Sequence, residues 1–210
     1  MTDGAATGAV GIVGAGRVGS ALARRFRAVG VDVVLGLREG REVPEPLAAL
    51  GVTGGPASAL PGLVFLAVPA PAAIEAVAAV PAGTIVVDCS NPVRWDEGPV
   101  VDAPAEGSVA AALAAARPDL RVLKGFNTFG AEWHADPESA AGPATVPFAG
   151  DDAEAKAQAM ALATRAGFAP LDAGPLRNAA LLEHAAVLWI HLATAGGLGR
   201  GSVFVWAGRG

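Results

Sequence analysis

The chain has 210 residues and a net charge of −5, with no basic run and no basic-aromatic interleaving, which excludes nucleic acid as a partner. Apolar residues make up 52%, enough for one large core or for one domain with a small appendage. Cys89 is the only cysteine, so neither a disulfide framework nor a multi-cysteine metal site is available. Residues 1–8 carry one Asp and no basic residue, unlike a secretory signal or a transit peptide.

The first predicted strand, 10–13, runs into Gly14-Ala15-Gly16-Arg17-Val18-Gly19 and then into a helical pattern over 17–29. In this strand-to-helix setting each glycine has a physical task. Gly14 makes the tight turn, Gly16 lets a pyrophosphate approach the backbone, and Gly19 allows helix and strand to pack closely. The amides of Arg17 and Val18 fall at a helix N-terminus, which favours an anion. This predicts dinucleotide binding.

Further strands are predicted at 32–37, 63–68, 84–88, 120–124, 145–149 and 169–172. Helices are predicted at 46–50, 72–80, 107–116, 152–166 and 176–195. Near-continuous apolar strands alternating with helices describe an α/β fold, a doubly wound, mostly parallel Rossmann sheet with a small C-terminal helical portion. The division expected is a dinucleotide-binding domain over 8–150 and a smaller α/β portion over 151–210, with a long helix and a Gly-rich tail. Between Leu63 and Val87 the only charge is Glu75, but Pro69, Pro71 and Pro81 interrupt the run. A buried strand–helix–strand unit explains it better than a membrane span. A cytoplasmic protein is expected.

In a doubly wound sheet the informative residues lie at strand ends. The second strand ends on Arg38-Glu39-Gly40-Arg41, with no acidic residue in the position that bonds an NAD ribose. Arg38 and Arg41 suit a 2′-phosphate, although Glu39 could pair with Arg41, and the loop could be merely solvated. The choice is NADP. Ala67, Val68 and Pro69 fit a rigid lip beside the cofactor, and Asn91 can bond a ribose or an amide. Phe126, Asn127 and Thr128, after the strand at 120–124, should meet the nicotinamide and bind the substrate. Cys89 reads as a small buried strand-end residue. Lys124 could act as a general acid, but its strand position favours packing. His134, His184 and His191 have no carboxylates or thiols at ligand spacing, so no metal site is expected.

The glycine loop, residues 63–69, Asp88-Cys89-Ser90-Asn91-Pro92, Lys124-Gly125-Phe126-Asn127-Thr128, Ala149-Gly150-Asp151-Asp152 and Leu171-Asp172-Ala173-Gly174-Pro175-Leu176 together resemble one family. It is the NADPH-dependent coenzyme F420 oxidoreductases and their NADP-binding relatives, including the cytosolic domains of membrane ferric reductases. The resemblance runs from about Val10 to Gly199 and implies a dimeric Rossmann protein that moves a hydride between NADPH and the deazaflavin. The chain departs from the family at Leu37, where a Ser is usual, and at Asn127-Thr128, where archaeal members have His-Thr. The tail over 202–210 also lacks the family's usual ending.

Three functions compete on the residues: an NADP:coenzyme F420 oxidoreductase, an NADPH-dependent reductase of a small C=N or C=O substrate, and a non-catalytic NADP-binding module. The chain has no Tyr and two lysines, so acids for a carbonyl reduction are scarce. A deazaflavin asks less, because its ring delocalises the charge. The expected mechanism is direct hydride transfer without a covalent intermediate, with the segment 196–201 as a lid. Homodimerisation is expected from the last helix, which is apolar nearly all round.

Overall fold

The first strand stands in the middle of the sheet. In the computed structural model, which describes residues 8–207, β1 (Val10–Val13) is buried along its length between two parallel neighbours. The sequence readings for residues 1–7 and 208–210 lie outside the described residues. After β1 come α1 (Arg17–Ala28), β2 (Val33–Gly36), α2 (Glu45–Ala48) and β3 (Thr53–Gly55). The chain then crosses to β4 (Leu63–Leu66), α3 (Ala73–Ala76) and β5 (Ile85–Asp88). A hairpin of β6 (Val93–Trp95) and β7 (Pro99–Val101) precedes α4 (Val109–Ala116), β8 (Arg121–Lys124) and α5 (Ala131–Ala135). The last elements are β9 (Thr145–Phe148), α6 (Ala153–Arg165), β10 (Ala169–Asp172) and α7 (Ala179–Ala193).

Six strands form one parallel sheet in the order β3-β2-β1-β4-β5-β8, so the order reverses beside β1 and opens a crevice at the strands' C-terminal ends. Alternation along each strand builds a core on either face. Ile12, Phe65 and Val87 point to one side with Phe26, Phe126, Phe148 and Phe168. Val13, Val64 and Val86 point to the other with Val77, Leu113 and Val122. Helix α1 buries Gly19, Ala21, Leu22, Ala23 and Phe26, and its last turn carries Arg25 and Arg27, which suit the negative end of the helix dipole. Ser108 caps α4 by accepting from Ala111 N at 3.1 Å, and Asp152 caps α6 by accepting from Ala155 N at 2.9 Å.

The structure departs from the sequence reading in four places. The strands expected at 145–149 and 169–172 pair with each other in a separate parallel ribbon, β10-β9. That ribbon joins the main sheet only through an antiparallel bridge between Lys124 and Ala149. The helix expected over 72–80 shrinks to a 3-10 turn, Ala70–Ala72, and the single turn of α3, because Pro69 and Pro71 shape its start. Edge strand β3, the β6-β7 hairpin and α5 were not anticipated, since Thr53-Gly54-Gly55 and the short hairpin carry no apolar run. The last helix begins at Ala179, after a 3-10 turn over Leu176–Asn178, and ends before Gly196 and Gly197. Among the described residues no helix is long and apolar enough to cross a membrane.

One ionic cluster ties these elements together. The Lys124 ammonium, fully buried, donates to Asp88 Oδ2 at 2.7 Å, Glu183 Oε1 at 2.7 Å and Ser90 O at 2.6 Å. Burial pushes the Glu183 carboxyl above the usual range, and Lys124 works against that rise. Lys124→Met strands two buried carboxylates and should cost about 3–5 kcal/mol, read as a lower urea midpoint. Glu183→Gln keeps an acceptor for Lys124. Glu183's contribution to stability is fully present below its unfolded pKa and lost as pH rises through its higher folded value, whereas the amide has no proton to lose. The stability gap between this variant and the parent should therefore narrow from acid to alkaline pH.

Candidate functional site

The crevice beside β1 is a cleft of about 510 Å³, lined by the glycine turn, the end of β2, Arg38, Arg41, Glu42 and Val68, and by Glu75 and Ala76 at the end of α3. The turn is built so that backbone, not side chains, faces it. Gly14 has φ +104°, and a Cβ there would stand 2.4 Å from the Ala67 carbonyl. A Cβ on Gly19 would stand 1.8 Å from Gly14 O, so strand and helix touch through this residue. At Gly16, by contrast, no atom lies within 4 Å of an added Cβ. That open ground lies in front of the first turn of α1, which has no acidic residue, and whose amides have no intrahelical acceptor. Val18 packs its side chain against the core.

Arg38 and Arg41 line the cleft together, joined by a turn in which Arg41 N donates to Arg38 O at 3.1 Å. A second groove, between Leu37–Arg41 and Gly54–Pro56, continues from them. Neither guanidinium has a carboxylate within 4 Å among the described residues, so the Glu39–Arg41 pairing considered from sequence does not occur. Ala67 N donates to Val13 O at 2.8 Å, which carries the sheet one residue past β4 and sets Val68 on the cleft wall, with Pro69 exposed beyond it.

At the other end Asn91 and Asn127 clasp each other. Asn127 Nδ2 donates to Asn91 Oδ1 at 2.9 Å and to Leu182 O at 3.0 Å, and Asn91 Nδ2 donates to Asn127 O at 2.8 Å. Asn127 is 4% exposed, and its Oδ1 is buried without a partner. Thr128 beside it is also buried. Phe126 corrects the sequence reading. Its ring is 1% exposed, 5.0 Å from that of Phe168 and 5.7 Å from that of Phe148, so it is a core residue and cannot meet a substrate. Its φ of +57° is what turns the ring inward.

The ionisable groups here are spoken for. The three N–H bonds of Lys124 meet three acceptors, so no donor is left for a ligand. The ring nitrogens of His134 face Gly130 O at 3.0 Å and Phe126 O at 2.9 Å, and burial holds its pKa below the ordinary value. His184 and His191 lie on the exposed side of α7. Sequence reasoning missed the partners of Lys124, although Asp88 and Glu183 are each a lone charge in an apolar stretch, and it missed the link from Arg17 to Glu132 and Arg200. Cys89 is buried, and desolvation first, then the nearby Asp88 charge, pushes its thiol far up. In the native protein Cys89 should resist a thiol reagent such as DTNB and react only on denaturation. A native rate matching that of a free thiol would contradict this placement.

The family described as NADP oxidoreductase, coenzyme F420-dependent, matches residues 9–92 of the chain. Metalloreductase STEAP3 of Rattus norvegicus is 32% identical over 178 residues, which cover 83% of this chain and 35% of that protein. The chain thus spans about a third of the length of this curated relative. Among solved structures, a putative F420-dependent NADP-reductase from Arthrobacter sp. FB24 superposes with a TM-score of 0.78 at 27% identity, over 91% of this chain and 96% of that one. A hypothetical protein from Sinorhizobium meliloti gives a TM-score of 0.67 at 30% identity, over 80% and 86%.

Proposed function

The chain belongs to the family of coenzyme F420-dependent NADP oxidoreductases, and from that premise we propose that it moves a hydride between NADP(H) and the deazaflavin coenzyme F420. The observation that carries the cofactor half is the pair Arg38 and Arg41, two guanidinium groups that line the cleft beside an open backbone cradle and, among the described residues, have no carboxylate within 4 Å, although Glu42 and Glu75 also line it. In this reading the amides of Arg17 and Val18 hold the diphosphate in front of Gly16, and Arg38 and Arg41 hold the 2′-phosphate. Ala67, Val68 and Pro69 form the edge along which the ribose runs. The half-buried Asn91, its orientation fixed by Asn127, meets the carboxamide. Bound NADPH supplies the hydride.

The chemistry of this end supports an acceptor that needs no acid from the protein. Lys124 is saturated, Cys89 and His134 are buried, and Glu132, at the rim, is held at about 2, chiefly by Arg200. A C=O or C=N reduction wants a positioned proton donor at the developing anion. A deazaflavin takes the hydride at a ring carbon, spreads the charge over the ring, and takes its proton from water. The hydride carries two electrons from NADPH to the ring carbon, and one proton from water completes the reduction, so NADP⁺ and the reduced deazaflavin are the products.

The test is anaerobic mixing of NADPH with oxidised coenzyme F420, with loss of its visible absorbance as the signal. NADPH deuterated on the transferred face should deliver its label intact to the ring carbon, and washout to solvent would defeat direct transfer. Arg38→Ala should weaken NADPH binding by about 1.5–3 kcal/mol while hardly changing that of NADH. Equal affinity of the parent protein for both cofactors would defeat the reading of this loop.

The expected homodimer is proposed on the outer row of α7, where Leu181 and Leu188 stay 65% and 53% exposed at i, i+7. Light scattering at micromolar concentration should report twice the chain mass.

A further inference from the structure

One carboxylate links the phosphate end of the cleft to the C-terminal segment. Glu132 stands on α5, which packs along α1. Its Oε1 accepts from Arg17 Nη2 at 2.7 Å and from Arg200 Nε at 2.9 Å, and its Oε2 accepts from Arg200 Nη2 at 3.2 Å. Arg17 is the first residue of α1, next to the glycine that opens onto the cleft. Arg200 belongs to the segment that leaves α7, and its guanidinium also lies 5.9 Å over the Trp189 ring. That segment is held elsewhere too. Trp189 Nε1 donates to Ser202 O at 2.8 Å, and Val203 and Phe204 pack on the core. Arg200 borders Gly130, the last residue of the loop that carries Asn127.

We propose that Glu132 is a positioning residue that couples dinucleotide binding to the seating of residues 196–202 beside the acceptor end. It divides one negative charge between two guanidinium groups, and Arg17 stands where a diphosphate would also attract it. A bound diphosphate is the stronger anion, with several oxygens for a planar guanidinium. As it draws Arg17 away, the Glu132 charge passes wholly to Arg200 and tightens the segment against Gly130. The same carboxylate therefore opposes the cofactor slightly and repays it at the other end of the site. All three side chains are substantially exposed, so solvent and salt keep the effect modest. This inference rests on the dinucleotide reading above.

The probe is NADPH. It is titrated calorimetrically into the full chain and into Glu132→Gln, Glu132→Asp and Arg200→Ala, with amide hydrogen exchange of residues 196–202 followed with and without saturating NADPH. Glu132→Gln should bind NADPH about two- to fivefold more tightly, because Arg17 is released and a nearby negative charge is gone. Its 196–202 amides should exchange faster than in the parent and no longer respond to NADPH, whereas NADPH slows them in the parent. Arg200→Ala leaves Glu132 to Arg17 alone and should weaken NADPH binding, and Glu132→Asp should recover part of the coupling. A purely structural tie predicts the faster exchange without tighter binding. Unchanged or weaker NADPH affinity in Glu132→Gln, or slowing by NADPH that persists in that variant, overturns the coupling and leaves the cofactor reading intact. A parent chain that binds no NADPH overturns both.

Discussion

A lysine with no access to water governs how the ends of two neighbouring strands meet the last helix. Lys124 closes β8, Asp88 closes β5, and Glu183 sits one turn into α7, and the ammonium holds both carboxylates at 2.7 Å. Burying three charges is expensive, and a well-packed apolar replacement is often no less stable. What the cluster supplies is placement. The other oxygen of Asp88 accepts from Ser90 N at 2.9 Å and Ser90 Oγ at 2.7 Å, and Lys124 takes the Ser90 carbonyl, so the strand-end loop up to Asn91 has one arrangement. Glu183 Oε1 also accepts from Val109 N at 2.9 Å, which attaches the start of α4. Its second oxygen has no partner, which fits a carboxyl whose affinity for its proton burial has raised.

The same economy runs through the loop after β8. Phe126 sends its ring into an aromatic cluster with Phe65, Phe148 and Phe168. His134 lies with its ring nitrogens 2.9 Å from Phe126 O and 3.0 Å from Gly130 O, and its single N–H donates to one of these carbonyls. The residues between those carbonyls therefore have little freedom, and Asn127 reaches Asn91 and the Leu182 carbonyl from a backbone already fixed at both ends. Rigid support of this kind is what a site needs when its rate depends on orientation rather than on acid–base chemistry.

The glycine turn and the alternation of apolar strands with helices were legible in the sequence because their signals are local. Three glycines at fixed spacing between an apolar strand and a helix admit few other readings. Arg38 and Arg41 were legible for the same reason, three residues apart at a strand end. Phe126 was misread because a loop has no periodicity to say which side chain turns inward, and only a positive φ decides it here. The ionic contacts were out of reach for a different reason. Lys124 and Glu183 are 59 residues apart and Glu132 and Arg200 are 68, and nothing in either segment announces its partner. The helix at 72–80 shows the opposite error, with alanine propensity outweighed by prolines and tight packing under the sheet.

How an acidic chain offers a site to an anion follows from where its arginines are spent. Arg25 donates to Ala166 O, Arg27 to Leu50 O, and Arg117 to the carbonyls of Val77, Ala78 and Val80, so these guanidinium groups serve as struts between elements. Arg121 is forked onto Asp152 at the start of α6. Among the described residues Arg38 and Arg41 have no such employment and no ion pair, and they line the cleft where the sheet opens together with Glu42 and Glu75. The net charge of −5 belongs to the whole surface, and salt screens it over about 8–10 Å. An incoming phosphate is met at closer range, by the nearest groups. Locally the cleft wall carries the two guanidinium groups of Arg38 and Arg41, the ground in front of α1 carries its helix dipole, and Glu132 is shared between Arg17 and Arg200. What the cleft offers an anion thus depends on which arginines the fold leaves without a partner more than on the overall charge.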